Sequence, residues 1–231
     1  MSMTRRLFEL CGTDPARIFS PYCWRIRMAL AHKGLEFEAM PWRFTDKQAL
    51  AFAGHDKVPV LQDGDRAVGD SWEIAKYLDA AYPDAPALLR GNPDPYVFIN
   101  AWTDTVLHAG LARLIVSDIP PLLDEADRVY FVQSREARFG KTLAEVTAGR
   151  EERLPAFRAS LLPLRHALRG RDFLGGAAPD YADFIVFGGF MWARVVSALD
   201  LLEPEDAVHA WRQRMLGLFG GMAGATPAMT A

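Results

Sequence analysis

Cysteine is scarce in this chain: Cys11 and Cys23 are the only two in 231 residues. Two thiols cannot build a disulfide scaffold, and their scarcity suits a reducing, cytoplasmic setting. Neither stands near a cluster of histidine and carboxylate residues, so no metal site is expected. Charge of one sign is also lacking. With 26 basic and 29 acidic residues the net charge is −3, which leaves no electrostatic footprint for nucleic acid or an anionic membrane. Long hydrophobic runs are absent, the most apolar one (residues 184–193) being too short to span a bilayer. No leader pattern opens the chain, because Arg5 and Arg6 run straight into a strand-like Leu-Phe-Glu-Leu. Internal repeats and low-complexity tracts are missing too. What remains is 50% hydrophobic and 24% charged, the balance of an ordinary globular protein with core enough for one or two domains.

The most informative stretch present is residues 20–34, Ser-Pro-Tyr-Cys-Trp-Arg-Ile-Arg-Met-Ala-Leu-Ala-His-Lys-Gly. Ser20 then Pro21 predicts an N-cap and a first helical residue, since proline lacks an amide that the first turn leaves unbonded anyway. Charged Arg25, Arg27, His32 and Lys33 alternate with Ile26, Met28, Ala29 and Leu30 to give one apolar helix face, and Gly34 stops the helix. The preceding strand puts Ser20 at the mouth of a strand-loop-helix unit. A hydroxyl there stands beside free amides and the positive end of the helix dipole, where a phosphate, a carboxylate or a thiolate is favoured. The plainer reading is a helix cap, and the two roles are compatible.

Strand and helix patterns continue to residue 82. Residues 35–40 alternate in period two, residues 45–52 suit a short helix, and residues 58–61 and 66–68 form a hairpin turning at Asp63-Gly64. Pro59 is awkward inside a strand and marks an edge, a strand start or a special bend such as a cis peptide. Asp70-Ser71 opens a helix with Trp72, Ile74, Ala75, Tyr77, Leu78 and Ala81 on a buried face. Residues 83–95 hold four prolines and are expected to be a linker. Beyond it, residues 96–116, 125–139, 150–168, 181–199 and 206–219 pattern as helices, and the tail from Gly220 is expected to fray. Three regions follow: an α/β domain over 1–82, the linker over 83–95, and an all-helical domain over 96–231. Asp180 and Asp183 predict a capping box opening a helix that is apolar nearly all round, with Gly188-Gly189 permitting close helix approach.

Four fragments fall in a telling order: Ser20-Pro-Tyr-Cys23, Val58-Pro59-Val60, Asp70-Ser71 and Asp180-Tyr-Ala-Asp183. Together they resemble the cytosolic glutathione transferase family over almost the whole chain. Ser20-Pro-Tyr-Cys-Trp-Arg, the segment from Asp70 to Asp79, and residues 141–155 look most like its ether-cleaving members, the bacterial β-etherases and their fungal relatives. The resemblance implies a thioredoxin-like N-terminal domain, a helical C-terminal bundle, glutathione as co-substrate and a homodimer. It implies a cis Pro59, a Val58 backbone that pairs with glutathione like an added strand, and Asp70 and Ser71 holding the γ-glutamyl end. Asp70 departs from the Glu-Ser pair usual in the family.

Ser20 is the expected catalytic residue, with Pro21, Tyr22, Lys57, Val58, Pro59, Asp70 and Ser71 around the glutathione. Lys57, or Arg43 or Lys47, would meet the glycyl carboxylate. A hydrophobic, aromatic electrophile is expected between the domains, near Tyr22, Asn100, Trp102, Thr103 and His108, for conjugation or thiolytic aryl-ether cleavage. Two rivals differ from this. Ser20-Pro-Tyr-Cys23 also looks like the glutaredoxin Cys-Pro-Tyr-Cys motif with its first thiol replaced, which leaves a reductase or isomerase using Cys23. The other rival is a non-catalytic ligand-binding protein. Cys23, one turn into the helix, is expected to be a buried packing residue.

Overall fold

The computed structural model describes residues 5–230, and its first half is a βαβ unit followed by a hairpin. Strand β1 (Arg5–Leu10) runs parallel to β2 (Phe37–Trp42), and helix α1 (Pro21–His32) makes the crossover. β3 (Val60–Asp63) lies antiparallel to β1, and β4 (Arg66–Gly69) pairs back on β3. The sheet order is β2-β1-β3-β4, a mixed four-stranded thioredoxin-like sheet. Gly64, at φ 61°, takes the left-handed turn that this tight hairpin requires. β2 starts two residues later than the alternation suggested. It tolerates Pro41 because it is an edge strand with amides to spare. The expected helix over 45–52 is a 3₁₀ turn, Lys47–Ala53. Helix α2 (Ser71–Ala81) closes this half.

The second half is all helix. The linker is shorter than its prolines suggested, because α3 (Asp94–Trp102) begins within it and carries Pro95 in its first turn, where a missing amide costs nothing. The single helix expected over 96–116 is α3, a π turn over Thr103–Leu107, and α4 (His108–Ile115). α5 (Glu125–Phe139) matches its pattern, capped by Asp124. A short helix that the pattern missed, α6 (Leu143–Thr147), follows a Thr142–Glu145 capping box. The stretch 150–168 divides into α7 (Arg150–Ser160) and α8 (Leu162–Ala167), because Pro163 cannot donate into a continuing helix. α9 (Tyr181–Val196) and α10 (Ala207–Gly221) complete the bundle. The tail expected to fray is instead fastened to α9. The Arg194 guanidinium donates to the Thr226 and Gly224 carbonyls, the Met229 amide donates to the Arg194 carbonyl, and Ala223 is fully buried.

Helix α9 is the pillar on which both halves rest. Thirteen of its sixteen residues are buried, so it cannot stand alone in water and must be surrounded. Its N-terminus is locked by Asp183, whose carboxylate accepts from the amides of Leu174, Gly175 and Asp180 and from the Trp211 indole at 2.8–3.1 Å. Burial pushes the Asp183 carboxyl up, and these four donors pull it back toward the charged form. Gly188 lets α1 approach: a Cβ there would stand 2.3 Å from the Pro21 carbonyl oxygen. The Tyr181 hydroxyl donates to the Ser71 carbonyl at 2.7 Å and ties the start of α2 to the same pillar. Cross-domain polar bonds add to this packing. Arg25, 1% exposed, donates to Asn100 at 2.6 Å and to Asp104 at 2.7 Å.

Candidate functional site

A cavity of about 570 Å³ opens between the two halves, a volume suited to small organic ligands. Its N-terminal wall carries Ser20, Pro21, Tyr22, Lys57 and Val58, and its helical wall carries residues of α4, α5 and α9. Ser20 is the N-cap of α1 in extended conformation, φ −68° and ψ 125°, with Pro21 at N1. Its Oγ accepts from the Cys23 amide at 3.3 Å. That bond uses a lone pair and leaves the hydroxyl proton to donate elsewhere. The cap and the anion-holding role are therefore compatible in this geometry. Pro21 has no amide, so the Tyr22 amide is the first-turn donor left at the cavity mouth.

Cys23 is fully buried, and burial together with the nearby Glu9 carboxylate pushes its thiol up to about 12. A thiol so placed is protonated and closed to solvent, the reverse of a reactive cysteine. Glu9 lies beneath α1, itself fully buried and paired with Arg27, whose Nε donates to it at 2.9 Å.

Val58-Pro59 is a cis peptide, immediately before β3, and Val58 lines the cavity. Asp70 caps α2 by accepting from the Trp72 and Glu73 amides at 2.8 and 3.2 Å, both through Oδ1, which leaves Oδ2 open. Its backbone holds φ 68°, a left-handed conformation costly for a residue with a Cβ. Ser71 beside it is buried. Pro59, Asp70 and Ser71 stand outside the lining of the cavity itself. Of the three cations named for the glycyl carboxylate, Arg43 is paired with Asp124 at 3.0 Å, whereas Lys57 and Lys47 line the cavity.

The second-substrate candidates separate cleanly. Tyr22 and His108 line the cavity; Asn100, Trp102 and Thr103 do not. Asn100 is spent on Arg25, Thr103 is fully buried, and Trp102 packs half-buried against the core. His108 sits edge-on to Tyr22, with ring centres 5.6 Å apart. Its Nδ1 lies 3.3 Å from Asp104, while its Nε2 is buried without a partner where a Cβ on Gly189 would stand 3.1 Å away. Burial holds its pKa below the ordinary histidine value, the Asp104 bond opposing. Nδ1 is thus held by Asp104 and Nε2 is enclosed, which suits packing better than proton transfer.

The helical wall holds residues that the motif search passed over. Tyr130, Phe131, Phe139 and Trp192 make it aromatic, joined from the N-terminal half by Trp42 and Phe44, and Arg113, Arg135 and Arg138 make it cationic. One signal could have found part of it, because Phe131, Arg135 and Arg138 are spaced i, i+4, i+7 and share a stripe of α5. Among the described residues there is no cluster of three or more metal-capable side chains, and no helix is long and apolar enough to cross a membrane.

The family model for the glutathione S-transferase C-terminal domain matches residues 96–215, and that for the N-terminal domain matches residues 19–81. The chain belongs to the glutathione S-transferase family. Among curated relatives, the glutathione S-transferase-like protein ustS of Aspergillus flavus is 28% identical, over 80% of this chain and 79% of that protein. The probable glutathione S-transferase GSTU6 of Oryza sativa is 27% identical, over 84% and 80%. Among solved structures, glutathione transferase GSTFuA3 of Phanerochaete chrysosporium superposes with a TM-score of 0.84 at 23% identity, over 96% of this chain and 98% of that one. A glutathione S-transferase of Ceriporiopsis subvermispora, solved in complex with glutathione, superposes at 0.76 with 21% identity, over 97% and 96%. The glutathione S-transferase fold expected from the motifs is therefore present, and the family supports glutathione as the co-substrate.

Proposed function

We propose that this protein is a glutathione transferase in which Ser20 holds the glutathione sulfur as a thiolate for attack on an apolar, aromatic electrophile. The observation that carries this reading is the placement of Ser20: its oxygen accepts from the Cys23 amide, which leaves its hydroxyl able to donate, and it lines the cavity at the positive end of α1. A cysteinyl thiol near pKa 8.5 is mostly protonated at neutral pH, and each unit of lowering takes about 1.4 kcal/mol of preference for the anion. A hydroxyl donor and the dipole of a twelve-residue helix together supply a stabilisation of that order.

The remaining residues divide the rest of the tripeptide among them. Val58 offers its backbone to the cysteinyl unit, beside Pro59. Asp70 Oδ2 accepts from the γ-glutamyl ammonium and Ser71 meets the α-carboxylate; the φ of 68° at Asp70 is the kind of stored strain that marks functional positions. Lys57 and Lys47 meet the glycyl carboxylate. Pro21 and Tyr22 border the sulfur, and Tyr22 extends toward the electrophile. Glutathione supplies the sulfur nucleophile when bound; the residues above bind it, orient it and hold its charge.

The electrophile is either conjugated or, if it is an aryl ether, cleaved with loss of the aryloxide. The likeness of residues 141–155 to ether-cleaving members makes ethers worth testing. The same reading includes a cytoplasmic homodimer, for which light scattering of the purified protein is the check. Steady-state turnover of glutathione with a halogenated nitroaromatic and with a β-aryl ether, by wild type, Ser20→Ala and Cys23→Ser, tests the whole. Activity lost with Ser20 and kept without Cys23 supports the transferase. The opposite pattern supports a Cys23 reductase, and binding without turnover supports a ligand carrier.

A further inference from the structure

We propose that the helical end of the cavity selects an electrophile that carries an anionic group, a carboxylate above all, held by Arg113, Arg135 and Arg138. This rests on the transferase reading of the same site and narrows its substrate from aromatic to aromatic acid. The first ground is that these three cavity arginines have no carboxylate partner, Arg135 donating only to the Ser134 hydroxyl, at 2.9 Å. Several arginines elsewhere are held by a carboxylate: Arg25 by Asp104, Arg43 by Asp124, Arg150 by Asp118, Arg165 by Asp206. On α5 itself, Arg128 pairs with Glu125. Among the described residues, Arg113, Arg135 and Arg138 form no ion pair, although all three line the cavity.

The second ground is that the acids of α5, and Asp104 in the cavity lining, are already engaged. Asp104 is held by Arg25 and His108. Asp127 accepts from the Phe44 and Thr45 amides, and Glu136 accepts from the Leu143 amide. The third is the setting of Arg135. Its guanidinium stacks on Phe131 and Phe44, 4.7 and 5.2 Å from the ring centres, and is half-buried. Burial and the charge of Arg138 both hold Arg135 below the ordinary arginine pKa, a crowding that an anion between them would relieve.

In the transferase reading the glycyl carboxylate of glutathione goes to Lys57 and Lys47, which leaves these three arginines without an anion to hold. A flat apolar body fits the aromatic lining, and planar guanidinium donors along the same cavity suit a carboxylate.

The test is calorimetric titration of the protein, with and without glutathione, using naphthalene-2-carboxylate and its uncharged counterpart naphthalene-2-carboxamide. Wild type should bind the carboxylate about tenfold tighter at low salt, and added sodium chloride should erode the advantage. Arg135→Gln should reduce the preference. Arg113→Gln/Arg138→Gln, at two exposed positions where the only stacking lost is that of Arg138 on the partly buried Phe139, should abolish it even if Arg135→Gln fails to fold. Equal affinity for the two probes in wild type overturns the proposal, as does a preference that survives the double substitution. So does a double variant that loses more affinity for glutathione than for the carboxylate, since the arginines would then serve the glycyl end. Failure of the transferase reading shows separately, as absent glutathione binding, and the titrations without glutathione still report the charge preference.

Discussion

The two walls of the cavity are built by opposite means. On the N-terminal side, each residue assigned to glutathione sits at the start of an element: Ser20 and Asp70 cap helices, and Val58-Pro59 precedes a strand. On the helical side, most lining residues come from α4, α5 and α9, with no cap or turn among Arg135, Arg138 and Trp192. Element ends expose unbonded amides and dipoles, so they can hold a charged, constant ligand by backbone geometry. Helix bodies offer only side chains, which are free to vary with the second substrate. The difference teaches where constancy and specificity reside, with α9 fixing one wall against the other.

The largest expected effect breaks both walls together. Asp183→Ala would leave three amides and an indole N–H buried without an acceptor. A loss of about 3–5 kcal/mol is expected, enough to abolish binding to either wall at once. Denaturant unfolding monitored by tryptophan fluorescence reads it. If stability held while only one wall failed, α9 would not be their common support.

Gly188→Ala is gentler and more pointed. Its Cβ would press on the Pro21 carbonyl, with an expected cost of about 1–3 kcal/mol. Because the strain falls on the first residue of α1, turnover should drop more than affinity for an aromatic ligand of the helical wall. Equal losses of the two would show that the walls do not separate.

Asp70→Ala sharpens the contrast on the N-terminal side alone. Losing the acceptor for an ammonium should raise the KM for glutathione about tenfold with little change in kcat, the split expected of uniform binding. A fall in kcat instead would place Asp70 in the chemical step. Cys23→Ala should keep turnover, because a buried thiol pushed up to about 12 does no chemistry at neutral pH. Loss of turnover with a sound fold would revive the reductase reading.

The smallest effect is in pH. Burial lowers the folded-state pKa of both His32 and His108. The unfolded chain then binds more protons, so stability is full above an ordinary histidine pKa and falls as pH drops below about 6.5. The slope is at most about 1.4 kcal/mol per pH unit for each group. Thermal unfolding at pH 7.5 and 5.5 measures it, and His108→Gln should flatten the slope.

Legibility in the sequence follows the same division. Ser20-Pro21, Asp70-Ser71 and Asp180–Asp183 announce themselves because capping demands particular residue types at particular offsets. The Thr142–Glu145 box obeys the same rule and would have revealed α6. The π turn at Thr103–Leu107 has no such code, since one extra residue in a turn leaves the apolar periodicity almost unchanged. Residue type alone does not show which side of α3 and this turn meets the cavity: Asp104 and His108 line it, whereas Asn100, Trp102 and Thr103 do not. Arg135 and Arg138 are hidden for a different reason: charged residues on a polar helix ordinarily mark its solvated face, and only the fold shows these two turned onto an aromatic wall. The tail escaped because its anchorage is backbone to Arg194, invisible in composition.

The most direct test of the central claim is the ultraviolet absorbance of the glutathione thiolate against pH, bound to wild type and to Ser20→Ala. Wild type should show a bound thiol with a pKa well below 8.5, and Ser20→Ala should raise it by about one unit or more. A thiol that titrates alike in both proteins, near its value in free solution, would contradict Ser20 as the thiolate's stabiliser.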